Sequence, residues 1–277
     1  MFLAAALVLL SSCAVVRTTL PPRIALLAPF EGRYREMGYN AYYAIRLAFA
    51  DANLNVEFLP IDDGGSAASA VERARALALD PQVQAALVMG YAATSAETQQ
   101  AFGDVPLLVI GHWSAQPQRE GVFLLASPEL GHLITTPASV DVTDAAHLAP
   151  PLVGGEVFAL AQFPLLREQL LENVILVSSA SLPDAAFTER YQASAEFAPA
   201  PNLLATLAYD AARIAIQAVT SSATRAEAVE TLSTTTFEGI NGSIRFADGY
   251  WLDAPIHYYV YDENRQLTAV DGIVEQR

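Results

Sequence analysis

Apolar and polar positions alternate in blocks along the first half of the chain. Short runs that are apolar throughout, several of them closed by a glycine or a proline, predict strands buried on both faces. Between these runs, apolar residues recur at i, i+3 and i+4, which predicts amphipathic helices. The predicted strands are 23–28, 56–61, 83–89, 105–110 and 122–126, and the predicted helices are 38–52, 66–79 (capped by Ser66 or Ser69) and 94–102. The alternation is typical of a doubly wound α/β unit with a parallel sheet and right-handed crossovers.

The pattern stops between residues 127 and 151, which are rich in Thr, Pro and Ala and show no clear period. We expect this stretch to cross between two lobes and to hold one or two short elements. A helix over 156–172 follows, which Pro164 should kink or split. The remaining predicted elements are a strand at 174–178, helices at 184–196, 203–220 and 224–232, and strands at 242–246, 256–261 and 267–274.

The N-terminus carries an apolar run, residues 2–10, that is too short to span a bilayer but suits the core of a signal peptide. The run leads into Leu10-Ser11-Ser12-Cys13, which resembles the lipobox of bacterial lipoproteins. The resemblance implies that 1–12 is a signal peptide, that Cys13 is lipidated, and that 13–22 is the lipidated cysteine with its tether. No Arg or Lys precedes the run, so either the α-amino group alone supplies the positive charge or the true start lies upstream. The alternative to a lipidated Cys13 is an ordinary buried cysteine.

Composition restricts the function classes. Hydrophobic residues make up 53% of the chain and charged residues 16%, which favours a packed core over disorder. The formal net charge is −15 and all fifteen basic residues are arginine, so nucleic acid is not an expected partner. The four histidines lack metal-ligand spacing, and no nucleotide-binding or nucleophile-elbow motif is present. We therefore expect no cofactor, no metal and no enzymatic activity.

The segment from Ile24 to Gly38, leading into a helix that ends Phe49-Ala-Asp-Ala-Asn53, is similar to the opening of type I periplasmic binding proteins, in particular the Leu/Ile/Val-binding receptors of ABC transporters. Further similar segments are Ile61-Asp62-Asp63, Val88 to Ser95, Tyr209-Asp210-Ala211, and Phe237 to Phe246 with Asp248-Gly249. The resemblance implies two α/β lobes that close on a small ligand and an ABC permease as partner.

One departure from that family concerns the second lobe. Before Gly154-Gly155 the family has two further βα units, whereas this chain has only the irregular residues 127–151. We predict a two-lobed type I periplasmic-binding-protein-like fold with a truncated second lobe. The predicted parts are a first lobe over 23–126, an abbreviated second lobe with its crossover over 127–236, and hinge-proximal C-terminal strands over 237–277. The 203–220 helix either belongs to the second lobe or returns to the first.

Ligands of open parallel sheets bind outside the carboxyl ends of the strands, which selects the loops that follow the predicted strands. The candidate ligand-binding residues are Arg33, Tyr34, Tyr91, Thr94, Ser95, His112, Trp113, Ser114 and Glu156. Asp62 and Asp63 also follow a strand, but adjacent residues do not point together as an acid/base pair, so we expect turn or capping roles.

Several candidates have a structural alternative. Thr94 and Ser95 could bind a carboxylate beside free helix N–H groups, or could simply cap that helix; the resemblance implies a ligand-binding Ser or Thr in this loop. Tyr91 and Trp113 could form an aromatic wall, or Trp113 could pack against a helix. Arg33 could bind a carboxylate or stay solvated, and Glu156 matches an acidic ligand group of the family or faces solvent. Ala115 stands where the family has a ligand Thr, with Ser114 beside it.

These observations predict a lipid-anchored, extracytoplasmic solute-binding protein that captures a small polar ligand, amino-acid-like by default, for an ABC importer. We expect a monomer whose membrane contact is the lipid on Cys13. The alternative is a degenerate fold of the same family that serves as a non-transport sensory or protein-interaction module.

Overall fold

The computed structural model describes residues 20–136, 142–149, 151–167 and 171–270. The predicted signal peptide, Cys13 and residues 271–274 of the last predicted strand lie outside the described residues. The strands are β1 Arg23–Ala28, β2 Glu57–Asp62, β3 Val83–Val88, β4 Leu107–Ile110, β5 Val122–Leu125, β6 Leu152–Gly154, β7 Val174–Ser178, β8 Phe237–Gly239, β9 Gly242–Ile244, β10 Phe246–Ala247, β11 Tyr250–Trp251, β12 His257–Tyr261 and β13 Leu267–Val270. The α-helices are α1 Arg35–Ala52, α2 Ala67–Leu79, α3 Ala96–Ala101, α4 Leu130–Leu133, α5 Val142–Ala145, α6 Gln162–Leu166, α7 Ala185–Ala193, α8 Leu203–Thr220 and α9 Arg225–Thr234. Within the described ranges, no helix combines the length and apolar character that crossing a membrane would require.

The larger sheet has seven strands in the order β10-β11-β5-β4-β3-β1-β2, and we call it, with its helices, the first lobe. Strands β1 to β5 pair in parallel, and all five lie where the sequence predicts them, to within two residues. Their order, 2-1-3-4-5, puts the topological switch point between β1 and β3. Loops that leave neighbouring strands toward opposite faces open a crevice at such a point.

The second lobe is built around a four-stranded sheet in the order β13-β12-β7-β6. Strands β6 and β7 pair in parallel, whereas β12 is antiparallel to both β7 and β13. This sheet therefore combines two strands that follow the irregular stretch with two strands from the C-terminal part of the chain. Strands β10 and β11, by contrast, extend the sheet of the first lobe.

The edge of β6 that pairs with no other described strand is covered by residues from the irregular stretch 127–151. The backbone N–H groups of Thr135 and Thr136 donate to the Val153 carbonyl at 2.9 and 3.2 Å. The Val153 N–H in turn donates to the Thr135 hydroxyl at 3.2 Å. An open sheet edge invites pairing with other chains. Residues 135 and 136 thus cover the edge of the small sheet in place of a further strand.

The predicted helix over 156–172 differs from the structure. Residues Glu156–Ala159 form a short 3₁₀ helix, and Leu160 has extended ψ of 135°, which separates it from the five-residue α6. Pro164 is the third residue of α6, in the first turn, where a missing N–H costs nothing. The apolar periodicity in this stretch reflects burial of two short elements rather than one continuous helix.

Helix α8 packs along α1 and over β3 and β4, so the 203–220 helix lies against the first lobe. Asp210, buried in the middle of this helix, accepts hydrogen bonds from the backbone N–H groups of Ile240 and Asn241 at 2.8 and 2.9 Å. The Asn241 side-chain amide donates to the same carboxylate at 2.7 Å. The similar segments at 209–211 and 237–246 are therefore one structural unit, in which a buried carboxylate fixes the β8–β9 turn.

Candidate functional site

A cavity of about 590 Å³ lies at the carboxyl ends of β1, β2 and β3. We call it the switch-point crevice. Its lining includes Arg33, Tyr34, Asp63, Ser66 and Tyr91. Arg33 and Ser66 are exposed, so the crevice opens to solvent. Its position is the one that the strand order predicts for a ligand site.

The loops around the crevice are held by Asp62 at the end of β2. One carboxylate oxygen accepts the Phe30 N–H at 2.7 Å and the other accepts the Gly64 N–H at 2.9 Å. Gly90, just after β3, has φ of +88°, a conformation that favours glycine. The predicted turn role of Asp62 is confirmed, and its consequence is that the loops after β1 and β2 are fixed relative to each other.

Two tyrosines form the aromatic wall of the crevice. The ring centroids of Tyr34 and Tyr91 are 6.4 Å apart at an interplanar angle of 68°, an edge contact. Trp113 packs edge-on against the Tyr91 ring at 5.6 Å. The indole itself is only 3% exposed, and its N–H donates to the Ile110 carbonyl at 2.6 Å. Trp113 thus supports Tyr91 from within the core.

Thr94 and Ser95 make local hydrogen bonds in the loop after β3. The Thr94 hydroxyl donates to the Gly90 carbonyl at 2.8 Å, and the residue is 2% exposed. The Ser95 hydroxyl accepts the Thr98 N–H at 3.3 Å and caps α3. The capping alternative therefore describes Ser95, while contact of either residue with a ligand stays a prediction.

His112 and Ser114 lie beside a different cavity, of about 260 Å³, which also borders on Ser127, His132 and Tyr250. Burial lowers the pKa of His112 below its ordinary value. The structure therefore divides the predicted site residues between two places. It brings Arg33, Tyr34 and Tyr91 together around the crevice and leaves His112 and Ser114 outside it.

Glu156 is buried between the two lobes, with 1% of its surface exposed. Its carboxylate accepts the Ser178 hydroxyl at 2.8 Å, at the end of β7, and the His112 backbone N–H at 3.2 Å, just after β4. Burial raises the pKa of Glu156, and the two hydrogen bonds offset only part of that rise. The predicted acidic group of the second lobe thus joins the lobes to each other and does not face solvent.

A second carboxylate, Glu36, also joins the lobes, and sequence reasoning does not find it. The backbone N–H of Ala161 donates to both Glu36 oxygens at 3.0 Å. Beside it, the Gln162 side-chain amide donates to the Arg33 carbonyl at 2.7 Å. Desolvation raises the pKa of Glu36, and the hydrogen bond from the Ala161 N–H offsets only part of that rise. An acidic residue in the first turn of a helix is common, so its partner from the second lobe leaves no local sequence signal.

Solved structures with the same fold are substrate-binding proteins by their descriptions. The substrate-binding protein LivJ of a branched-chain amino acid transporter from Streptococcus pneumoniae, in complex with isoleucine, is 17% identical, matches 90% of this chain and all of its own, and has a TM-score of 0.65. The leucine-binding protein LivK from Thermotoga maritima is 13% identical over 90% of this chain and 98% of its own, with a TM-score of 0.71. An ABC transporter substrate-binding protein from Desulfitobacterium hafniense, in complex with Leu, is 14% identical over 90% of this chain and all of its own, with a TM-score of 0.64.

No protein-family model and no curated protein matches the sequence. At these identities the solved structures establish the fold. The resemblance inferred from residues 24–53 and the later segments is confirmed at that level, and so is the mixed α/β class with its parallel main sheet.

Proposed function

We propose that this chain, which has the type I periplasmic-binding-protein fold, is an extracytoplasmic receptor that captures a small polar solute and presents it to an ABC permease. The observation that carries the proposal is the crevice of about 590 Å³ at the switch point of the first lobe. It combines a shape suited to a small molecule with two aromatic rings and charged side chains. Amino acids are the default solute class, since the similar structures include complexes with isoleucine and Leu.

Within this proposal, Arg33, Tyr34 and Tyr91 contact the solute directly because they line the crevice. Thr94 and Ser95 shape the loop that carries Tyr91, and Trp113 supports its ring. The remaining candidates act at a distance: His112 and Glu156 hold the lobes at their contact, and Ser114 lines the smaller cavity.

The contribution of the aromatic wall can be measured by a thermal-shift screen of the mature chain against amino acids, amides, amines, sugars and purines. We expect a solute that raises the melting temperature, because a ligand that binds only the folded state stabilises it. Tyr34→Ala should weaken binding of that solute about tenfold, the loss of roughly 1.4 kcal/mol of contact. The matched control is Tyr39→Ala on α1, an exposed tyrosine that does not line the crevice, which should leave binding unchanged. Equal loss in both variants would contradict the assignment.

The proposed anchor is a lipid on Cys13, which would hold the acidic domain outside the membrane on the tether of residues 13–22. Two or more acyl chains hold a protein firmly at a bilayer, whereas one chain does so only marginally. Cys13→Ser should therefore move the protein from the membrane fraction to the soluble fraction. Membrane partition that is unchanged in this variant would refute the anchor and leave the solute site untouched.

A second candidate function is favoured by the contacts of Glu156 and Glu36. Two largely buried carboxylates join the lobes through hydrogen bonds within the protein, as a permanently assembled interaction or sensory module would require. A well-folded chain for which the whole screen raises no melting temperature would favour this module over the receptor.

A further inference from the structure

We propose that the switch-point crevice selects an amine without a free carboxylate, whose ammonium group binds Asp63 and whose apolar part packs on Tyr34 and Tyr91. The inference rests on the proposed function, since it assumes that the crevice takes a solute. It replaces amino acids, the default solute class, with cationic amines.

The first argument is the carboxylate of Asp63. It lines the crevice, the residue is 2% exposed, and one oxygen accepts the Gly65 N–H at 2.8 Å. Within the described residues, Asp63 forms no salt bridge. Burial raises the pKa of Asp63 and the nearby Arg73 opposes that rise, but the Arg73 guanidinium donates its hydrogen bonds to the Ser69 hydroxyl and carbonyl. A buried carboxylate without an ion pair is a strong site for an ammonium group.

The second argument is that groups able to hold a carboxylate are already used. The Thr94 hydroxyl donates to the Gly90 carbonyl at 2.8 Å. The Ser95 hydroxyl donates to Thr98 Oγ1 at 3.0 Å, because the Thr98 hydroxyl itself donates to the Ala92 carbonyl. The backbone N–H of His112 donates to Glu156, so the protein's own carboxylate occupies it.

Arg33 is the cationic side chain on the lining, and it is the group that an amino acid's carboxylate would use. It lies exposed at the mouth of the crevice, where water screens its charge. Asp63 and Glu31, the acidic residues of the lining, oppose it. The buried end of the crevice is therefore negative, and the overall charge of −15 also attracts cations to the protein.

The third argument is the apolar surface beside Asp63. The rings of Tyr34 and Tyr91 lie with Met37 and Pro29 on the same lining. An ammonium group within about 6 Å of an aromatic ring is attracted to its face. The crevice thus offers a negative group for the charge and an aromatic, apolar wall for a short hydrocarbon chain.

The test is isothermal titration calorimetry of the mature chain with three probes that share the isobutyl group of leucine. These are 3-methylbutylamine (amine alone), leucine (amine and carboxylate) and 4-methylpentanoate (carboxylate alone). We expect the amine to bind at least tenfold more tightly than leucine, and the carboxylate not to bind. Leucine binding as tightly as the amine, or binding of the carboxylate, would overturn the inference while supporting a solute site.

Asp63→Asn should weaken 3-methylbutylamine binding at least tenfold, and its side-chain oxygen can still accept the Gly65 N–H. The matched control is Asp262→Asn, because Asp262 accepts the N–H two residues on, from Asn264 at 2.8 Å, in the second lobe. Amine binding that survives Asp63→Asn would overturn the inference. No binding of any probe by the folded chain would also overturn it, and the wider solute screen then decides separately on the proposed function.

Discussion

Glu156→Ala is expected to lower the free energy of unfolding by about 3 kcal/mol. The substitution leaves the His112 N–H and the Ser178 hydroxyl proton without their acceptor at the buried contact between the lobes. It also leaves a cavity in place of the carboxyethyl group. Chemical denaturation followed by circular dichroism measures the loss. The matched control is Glu120→Ala, an exposed glutamate, which should change the free energy of unfolding by less than about 0.5 kcal/mol.

Glu156→Gln separates the charge of this residue from its hydrogen bonds. Burial raises the folded-state pKa of Glu156 above its ordinary value of 4.5, so the folded state holds the proton more tightly than the unfolded state. The corresponding stability is complete below the unfolded-state pKa and is lost as pH rises through the folded-state pKa. The wild-type chain should therefore lose more stability than Glu156→Gln as the pH rises above the ordinary glutamate pKa of 4.5. Parallel pH profiles of the two proteins would show that the buried carboxylate carries no such penalty.

Gly38→Ala is expected to destabilise the chain by about 3 kcal/mol, the upper end of what overpacking costs. At an exposed position inside a helix, replacing Gly with Ala would stabilise a protein by about 0.5 to 1 kcal/mol. Here a Cβ would lie 2.1 Å from the Pro29 carbonyl oxygen and 3.2 Å from the Phe30 ring. Helix α1 must therefore move away from the β1 loop to accept it. Thermal and chemical denaturation of the variant measure the effect.

Gly131→Ala in α4 is the matched control for Gly38→Ala. The nearest atom to its added Cβ is the His112 Nε2 at 3.5 Å, an ordinary van der Waals distance. We expect unchanged stability or a gain of up to about 0.5 kcal/mol. If Gly38→Ala changed the free energy of unfolding no more than Gly131→Ala does, α1 could not approach Pro29 as closely as the structure shows. Because Pro29 and Met37 line the switch-point crevice, the shift in Gly38→Ala should also weaken solute binding.

The strands of the first lobe can be predicted from the sequence because they are buried on both faces. A run such as Ile24 to Ala28, fully buried in the sheet, leaves an apolar block that no exposed strand would show. The crevice follows from the order of those strands, so the loops carrying Arg33, Tyr34 and Tyr91 could be placed together before any side-chain contact was known.

The contacts between the lobes could not be predicted in the same way. Glu156 and Glu36 meet partners far away in sequence, at His112 and Ala161, and nothing near either residue marks it as buried. Trp113 left two alternatives open, since an indole suits both a ligand wall and a core. In the structure its indole is 3% exposed and donates to the Ile110 carbonyl, surroundings that only the fold supplies. The part of the site that depends on tertiary contacts therefore cannot be predicted from the local sequence pattern.

The second lobe was the least predictable region for a related reason. Its sheet takes β12 and β13 from the end of the chain, and its edge is covered by Thr135 and Thr136. An apolar period over 156–172 suggested one helix, but short elements can bury the same residues without regular spacing. Where elements are only three to five residues long, periodicity carries little information.

The central claim is that a small solute binds in the switch-point crevice, and amide chemical shifts of the ¹⁵N-labelled mature chain test it most directly. The titrant is 3-methylbutylamine or leucine, whichever binds more tightly. The account predicts that the largest shift changes occur at Gly32, Gly65 and Gly90, around the crevice, while Gly239 and Gly249 stay unchanged. Shift changes concentrated at Ser114 and Gly131, beside the smaller cavity, would contradict it.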